Sequence, residues 1–286
     1  MHIIFRNWLV SLSLFTPSKL LAFFRHSATL FFISLSRLVV NFGWLIIIHG
    51  VIFCVFGELI AKIISAQGTI TKTASPGVHI LTLVQSVFWF LITSAFLLII
   101  RKNDSLDIKN YFRLFFFRYI QLLFAVSAVI FIGLYLLIVG GITKIPSLSP
   151  IFLMATKIIE LSVLFYWLDS RFGLINIVTS FERAINFIFY NGPSLAFLLG
   201  LLWSLDYGLC LAANKMLHLN TSHLLFNQTI AEVAGAHVTH LSFIKTLLIK
   251  YMALIVEHFW ICLLFVLYRQ KRSLCYSTSM FEKSCE

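Results

Sequence analysis

Six long apolar runs, each bounded by polar or charged residues, partition the sequence. They fall at about 38–60, 78–100, 119–139, 151–167, 194–213 and 243–268. Each is near the ~20 residues that a helix needs to cross the ~30 Å hydrocarbon layer of a bilayer. The pattern predicts an all-α chain: one polytopic integral membrane domain over residues 1–286, a bundle of six spans.

A different rhythm occupies 174–190. Leu174, Ile177, Val178, Phe181, Ile185 and Ile188 recur at the spacing of one helical face, with Asn176, Thr179, Ser180, Arg183 and Asn186 on the other. This predicts an amphipathic helix lying on the cytoplasmic leaflet. Asn191-Gly192-Pro193 should end it, with glycine in a left-handed cap and proline blocking continuation. A second interfacial helix is expected over 18–36, where Thr16-Pro17 offers a cap and first turn. Basic, aromatic residues before the third span complete a threefold layout. Each unit, beginning near Ser18, Ser105 and Arg171, is an interfacial helix leading into two spans joined outside.

Composition agrees with this plan. The chain is 60% hydrophobic and only 12% charged, against roughly half and a quarter in soluble domains. Its net charge of +11 then reads as cytoplasmic lysine and arginine rather than a nucleic-acid surface. Six spans place 15 basic residues on one side, in the groups 6–37, 101–118, 171–183 and 269–283. The other side holds five: Lys62, Lys72, Lys144, Lys215 and Lys245. That asymmetry puts both termini in the cytoplasm of a cell (inner or plasma) membrane, where anionic headgroups meet the basic helices. The N-terminal apolar stretch lacks a small-residue cleavage site and is expected to be retained.

The five cysteines form no CxxC pair and imply neither a disulfide framework nor a zinc ribbon. Phosphate-binding, zinc-protease, serine-hydrolase and dinucleotide motifs are missing, so no catalytic residue and no cofactor is expected. Four histidines between 215 and 241 (His218, His223, His237 and His240, with Glu232) match no zinc signature and are read as solvated, with no metal. Asn220 and Asn227 head two glycosylation sequons on the outer side. Trp44, Trp89, Trp167, Trp203 and Trp260 read as bilayer anchors or core.

Ionisable groups inside spans carry the candidate chemistry, because each is costly in hydrocarbon. Lys157 and Glu160 are neighbours on one face. They line a polar path, or they neutralise each other in an internal salt bridge. Asp206 stands alone in its span, with Lys157 or Lys250 as prospective partners. Lys250 and Glu257 lie two turns apart on a similar face, with His258 pointing elsewhere. These groups make a proton-coupled site or a packing network.

The run DSRFGLINIVTSFERAINFIFYNGPSLAFLLGLL resembles a segment of six-helix membrane families. These are the YciC-like inner-membrane proteins and the membrane domain attached to some bacterial glycerophosphoryl diester phosphodiesterases. The matching residues are Asp169, Ser180, Ala184, Asn191 and Gly192, and FVLYRQKR at 265–272 is similar to their closing segment. The 215–241 segment departs from their pattern. The resemblance implies a six-helix bundle without catalytic residues; the hydrolytic barrel of the phosphodiesterases has no counterpart among these runs. The expected role is therefore non-enzymatic: membrane scaffolding, envelope maintenance or binding of an unidentified protein partner. A small transporter using Lys157, Glu160, Asp206 and Glu257 is the alternative, and a lipid-modifying enzyme acting at the outer loop is the third reading.

Overall fold

A computed structural model of the chain describes residues 8, 16–66, 87–88, 91–100, 157–166, 175–217 and 240–276. All the secondary structure described is helical. Four helices are α1 (Pro17–Ala66), α4 (Ile175–Tyr190), α5 (Gly192–Leu217) and α6 (His240–Tyr276). Helical stretches at Leu91–Ile100 (α2) and 157–166 (α3) lie between them. Within α1, α5 and α6, the segments Pro17–Ile52, Gly192–Lys215 and Leu247–Gln270 are long and apolar enough to cross a membrane. This is the make-up of a membrane protein.

The fifth and sixth apolar runs lie within α5 and α6. The second and fourth are helical where described, at 91–100 and 157–166; the third, 119–139, falls outside the described residues. The first run requires correction. No helix boundary separates an interfacial segment at 18–36 from a span at 38–60; Pro17 to Ala66 is one helix of 50 residues. Leu20 N–H bonds Thr16 O at 2.9 Å, so Thr16-Pro17 does open it. Nothing between Pro17 and Phe42 breaks a helix, and one buried stripe runs on through Phe23, Ser27, Phe31, Ser34, Leu38, Phe42, Leu45 and His49. A shared face favours one rod over two. At ~1.5 Å per residue the rod is ~75 Å long, far more than the hydrocarbon layer is thick. From Val39 onward its opposite face is apolar too: Val40 and Ile47 are 79% and 68% exposed. Such a face suits lipid.

The chain forms two compact units: Met1–Leu30, Phe112–Trp203 and Phe259–Glu286 in the first; Phe31–Tyr111 and Ser204–His258 in the second. In the first, every residue of α6 from 260 to 268 is buried. A helix apolar all round has to be covered all round. Aromatic rings do much of the covering. Tyr166 and Tyr268 meet edge to face at 4.8 Å, Phe165 and Phe265 at 5.1 Å, and Phe187 reaches Tyr268 at 6.1 Å. Edge-to-face pairs contribute ~0.5–1.5 kcal/mol beyond the area they bury. The Arg269 guanidinium sits 5.0 Å from the Phe265 ring centroid, where the helix leaves the core. Trp260 Nε1 donates to Leu198 O at 3.0 Å, so the largest buried ring also ties α6 to α5.

On α4 the buried face holds Ser180, Ala184 and Phe187, and Asn191 continues it just beyond the helix end. Val178, Ile185 and Phe189 are exposed. Without water to drive apolar surfaces together, helices in membranes associate through small residues that let backbones approach. The buried stripe continues on α5 through Leu195, Leu198 and Leu202, so helical phase survives the junction.

The junction also departs from expectation. Gly192 is not in the left-handed region but is the first residue of α5, and only Asn191 is non-helical. Asn191 N–H bonds Phe187 O and Leu195 N–H bonds Asn191 O, both at 3.0 Å. The Asn191 side chain adds a 2.9 Å bond to Phe187 O. Proline is accommodated here because the first turn of a helix does not need its N–H.

The clearest consequence concerns Trp260. Trp260→Phe should lower stability in detergent by ~1 kcal/mol, the worth of one hydrogen bond. Trp260→Ala should cost ~3–5 kcal/mol. Denaturant titration monitored by circular dichroism measures both, and an alanine variant as stable as the wild type would contradict this core.

Candidate polar site

The structure divides the six candidate groups. Lys157 and Glu160 belong to the first unit, while Asp206, Lys250, Glu257 and His258 belong to the second. Lys157 Nζ lies 3.1 Å from Glu160 Oε2, with the two side chains 24% and 15% exposed. The salt-bridge reading is the one realised for this pair. Spacing of three on α3 places the groups side by side, and mutual neutralisation lowers the cost of keeping charge in an apolar helix.

In the second unit the polar groups are deeply enclosed. Asp206 is 0% exposed, Lys250 5%, Glu257 2% and His258 2%. On α6 the buried positions Lys250, Ala253, Leu254 and Glu257 follow helical spacing, as expected for a shared face. His258, expected off that face, is buried as well, because this part of α6 is covered on more than one side. Its Nδ1 lies 2.6 Å from Leu254 O. A carbonyl only accepts, so Nδ1 carries the proton. The ring packs edge to face on Phe96 at 4.3 Å, and Phe96 in turn meets Phe31 at 6.3 Å. Nε2 of His258 is buried with no hydrogen-bond partner among the described residues.

Two further residues belong with this group. Tyr251 Oη donates to Ile46 O at 2.9 Å and lies 3.0 Å from His49 Nδ1. A hydroxyl has one proton; with that given to Ile46 O, the bond from His49 runs from Nδ1–H to the tyrosine oxygen. His49 is 2% exposed and packs against Phe88 at 5.7 Å. Gly50 makes room for the contact, since a Cβ there would stand 3.3 Å from Tyr251 Oη. The sequence pattern marks His49 only as one polar residue of the first apolar run and does not mark Tyr251. The available signal was a histidine beside a glycine one turn after Ile46.

The result is a joint between α1 and α6 made of hydrogen bonds, and Asp206, Lys250, Glu257 and His258 are buried in the same unit. Such a joint can fix helix packing, and groups of these types can hold a proton. Groups of three or more histidines, cysteines or acids placed to hold a metal are absent among the described residues. Of the histidines between 215 and 241, only His240 is described, at the start of α6; the others, with Glu232, lie outside the described residues. Cys210 and Cys262 are buried and in no disulfide among the described residues. Among the tryptophans, Trp260 is core, Trp44 and Trp203 are exposed, and Trp89 and Trp167 lie outside the described residues.

The joint is tested by a double-mutant cycle. Tyr251→Phe removes the hydroxyl and should cost ~1 kcal/mol or more. Gly50→Ala gains up to ~1 kcal/mol of helix propensity but crowds that hydroxyl. Its effect should therefore be more favourable in the Tyr251→Phe background by on the order of 1 kcal/mol. Strictly additive stabilities would show that Gly50 and Tyr251 do not meet.

Comparison of the chain with family models, with curated proteins and with solved structures finds no match.

Proposed function

We propose that this chain is a non-enzymatic, multi-pass protein of the cell (inner or plasma) membrane, with six spans and both termini in the cytoplasm. It acts as a YciC-like scaffold whose role is physical: it holds the anionic leaflet through basic helices and presents a surface to a protein partner. One observation above all supports this reading. On α4, Ser180 and Ala184 are buried with Phe187, and Asn191 follows them at the helix end, while Val178, Ile185 and Phe189 are exposed alongside Glu182 and Asn186; small residues on the covered face suit close helix packing in a membrane. Arg183 is half-buried on the same helix, and Lys19 and Arg25 are exposed on the first turns of α1. These cations suit an anionic surface at about 1 kcal/mol each.

A second reading, a small transporter, draws support from the enclosure of Asp206, Lys250, Glu257 and His258 within one unit. Buried intramembrane charge is a functional signal by default. The same reading includes Lys157 and Glu160, which bridge each other at 3.1 Å on α3.

Two measurements decide. Reporter tags at the two ends should both be cytoplasmic, and a terminus found outside would contradict the topology. Proteoliposomes holding the protein should leak protons and small cations no faster than empty vesicles. A flux well above that level, abolished by Glu257→Gln, would move the role to transport.

A further inference from the structure

Pro193 removes a hydrogen-bond donor from the middle of a nearly continuous helix pair. In an uninterrupted α-helix the N–H of residue 193 would bond the carbonyl of residue 189. Proline has none. On both sides helical bonding continues, from Asn191 N–H to Phe187 O and from Leu195 N–H to Asn191 O. The proline thus leaves Phe189 O without the donor that its position calls for. The Phe189 side chain is 61% exposed, so this face looks outward. Against lipid a carbonyl lacking a donor is costly, because there is no water to replace it.

Trp8 supplies the donor. Its Nε1 lies 2.7 Å from Phe189 O, across 181 residues of sequence. The ring also rests on the backbone at Gly192: a Cβ built there would lie 3.6–3.7 Å from Trp8 Cζ2, Cε2 and Nε1. Indole therefore meets the junction twice, by a hydrogen bond to the carbonyl that proline exposes and by ring contact at the adjacent glycine. Trp8, Phe189, Gly192 and Pro193 lie in one unit.

We propose that the α4–α5 junction is a binding site for a tryptophan side chain and that the chain's own Trp8 is its occupant. Trp8 clamps the junction and holds the direction in which α5 leaves α4. Because tryptophan also partitions favourably to the bilayer interface, the ring has an alternative place to go. Withdrawal of the Trp8 ring unclamps Phe189 O and Gly192 and loosens the joint between the amphipathic helix and the span that follows. This inference stands on Phe189, Gly192 and Pro193 alone and does not depend on the role proposed above.

The test is amide hydrogen exchange of the full-length protein in nanodiscs, read at Asn191 and Leu195 with residues 260–268 as internal control. Trp8→Phe keeps a ring but loses the N–H, so exchange at the two junction amides should rise ~5-fold, the equivalent of one ordinary hydrogen bond. Pro193→Ala restores a backbone donor to Phe189 O. The double variant Trp8→Phe/Pro193→Ala should therefore return to the wild-type rate. The proposal is overturned if Trp8→Phe leaves the junction amides unchanged, if residues 260–268 accelerate equally, or if the double variant exchanges as fast as Trp8→Phe alone.

Discussion

From residue 260 to 268 the last helix has no side that can be left uncovered. That constraint shapes the first unit. α3 brings Phe165 and Tyr166, α4 brings Phe187, and α5 offers the Leu198 carbonyl to the same rod. Dispersion and edge-to-face contacts between rings supply what the hydrophobic effect supplies in water but does not supply between helices in lipid.

Polar ends of aromatic residues recur as the connectors. Trp8 donates to Phe189 O, Trp260 to Leu198 O, Tyr251 to Ile46 O, and Tyr268 approaches Phe165 O at 3.5 Å. In each case a ring packs along one helix while its N–H or O–H finds a backbone oxygen on another part of the fold. Local back-bonding handles the smaller groups: Ser27 to Phe23 O, Thr29 to Arg25 O and Asn41 to Arg37 O. These polar side chains are thereby satisfied within the protein, while Leu21, Val40, Ile47 and Val178 are exposed. Function, whether scaffold or transport, has to be built within that inward-facing polarity.

Much of this was legible along the chain. Span length and hydropathy located α5 and α6, and the three-and-four spacing located α4. The pairing of Lys157 with Glu160 followed from their separation alone. The long α1 was misread because Arg37 and the basic stretch before it look like a membrane-surface segment; the buried stripe from Phe23 to His49 overrides that local signal. Gly192 was misread because a glycine before a proline suggests a cap, whereas the structure uses it as a flat seat for Trp8. The His49–Tyr251 joint could not be foreseen, since it links positions 202 residues apart and sequence spacing carries no record of that proximity. Ser180, Ala184 and Asn191, three of the five positions at which the resemblance was read, are buried.

The central claim is that α6 is a spine enclosed by protein while α1 shows one long face to lipid. Oxygen accessibility of nitroxide labels scanned along both helices in liposomes measures this directly. The account predicts a periodic profile on α1, with maxima at Val40, Ile47 and Val51, and uniformly low accessibility across 260–268. A profile on α6 that oscillates with helical period and rises to the α1 maxima would contradict it.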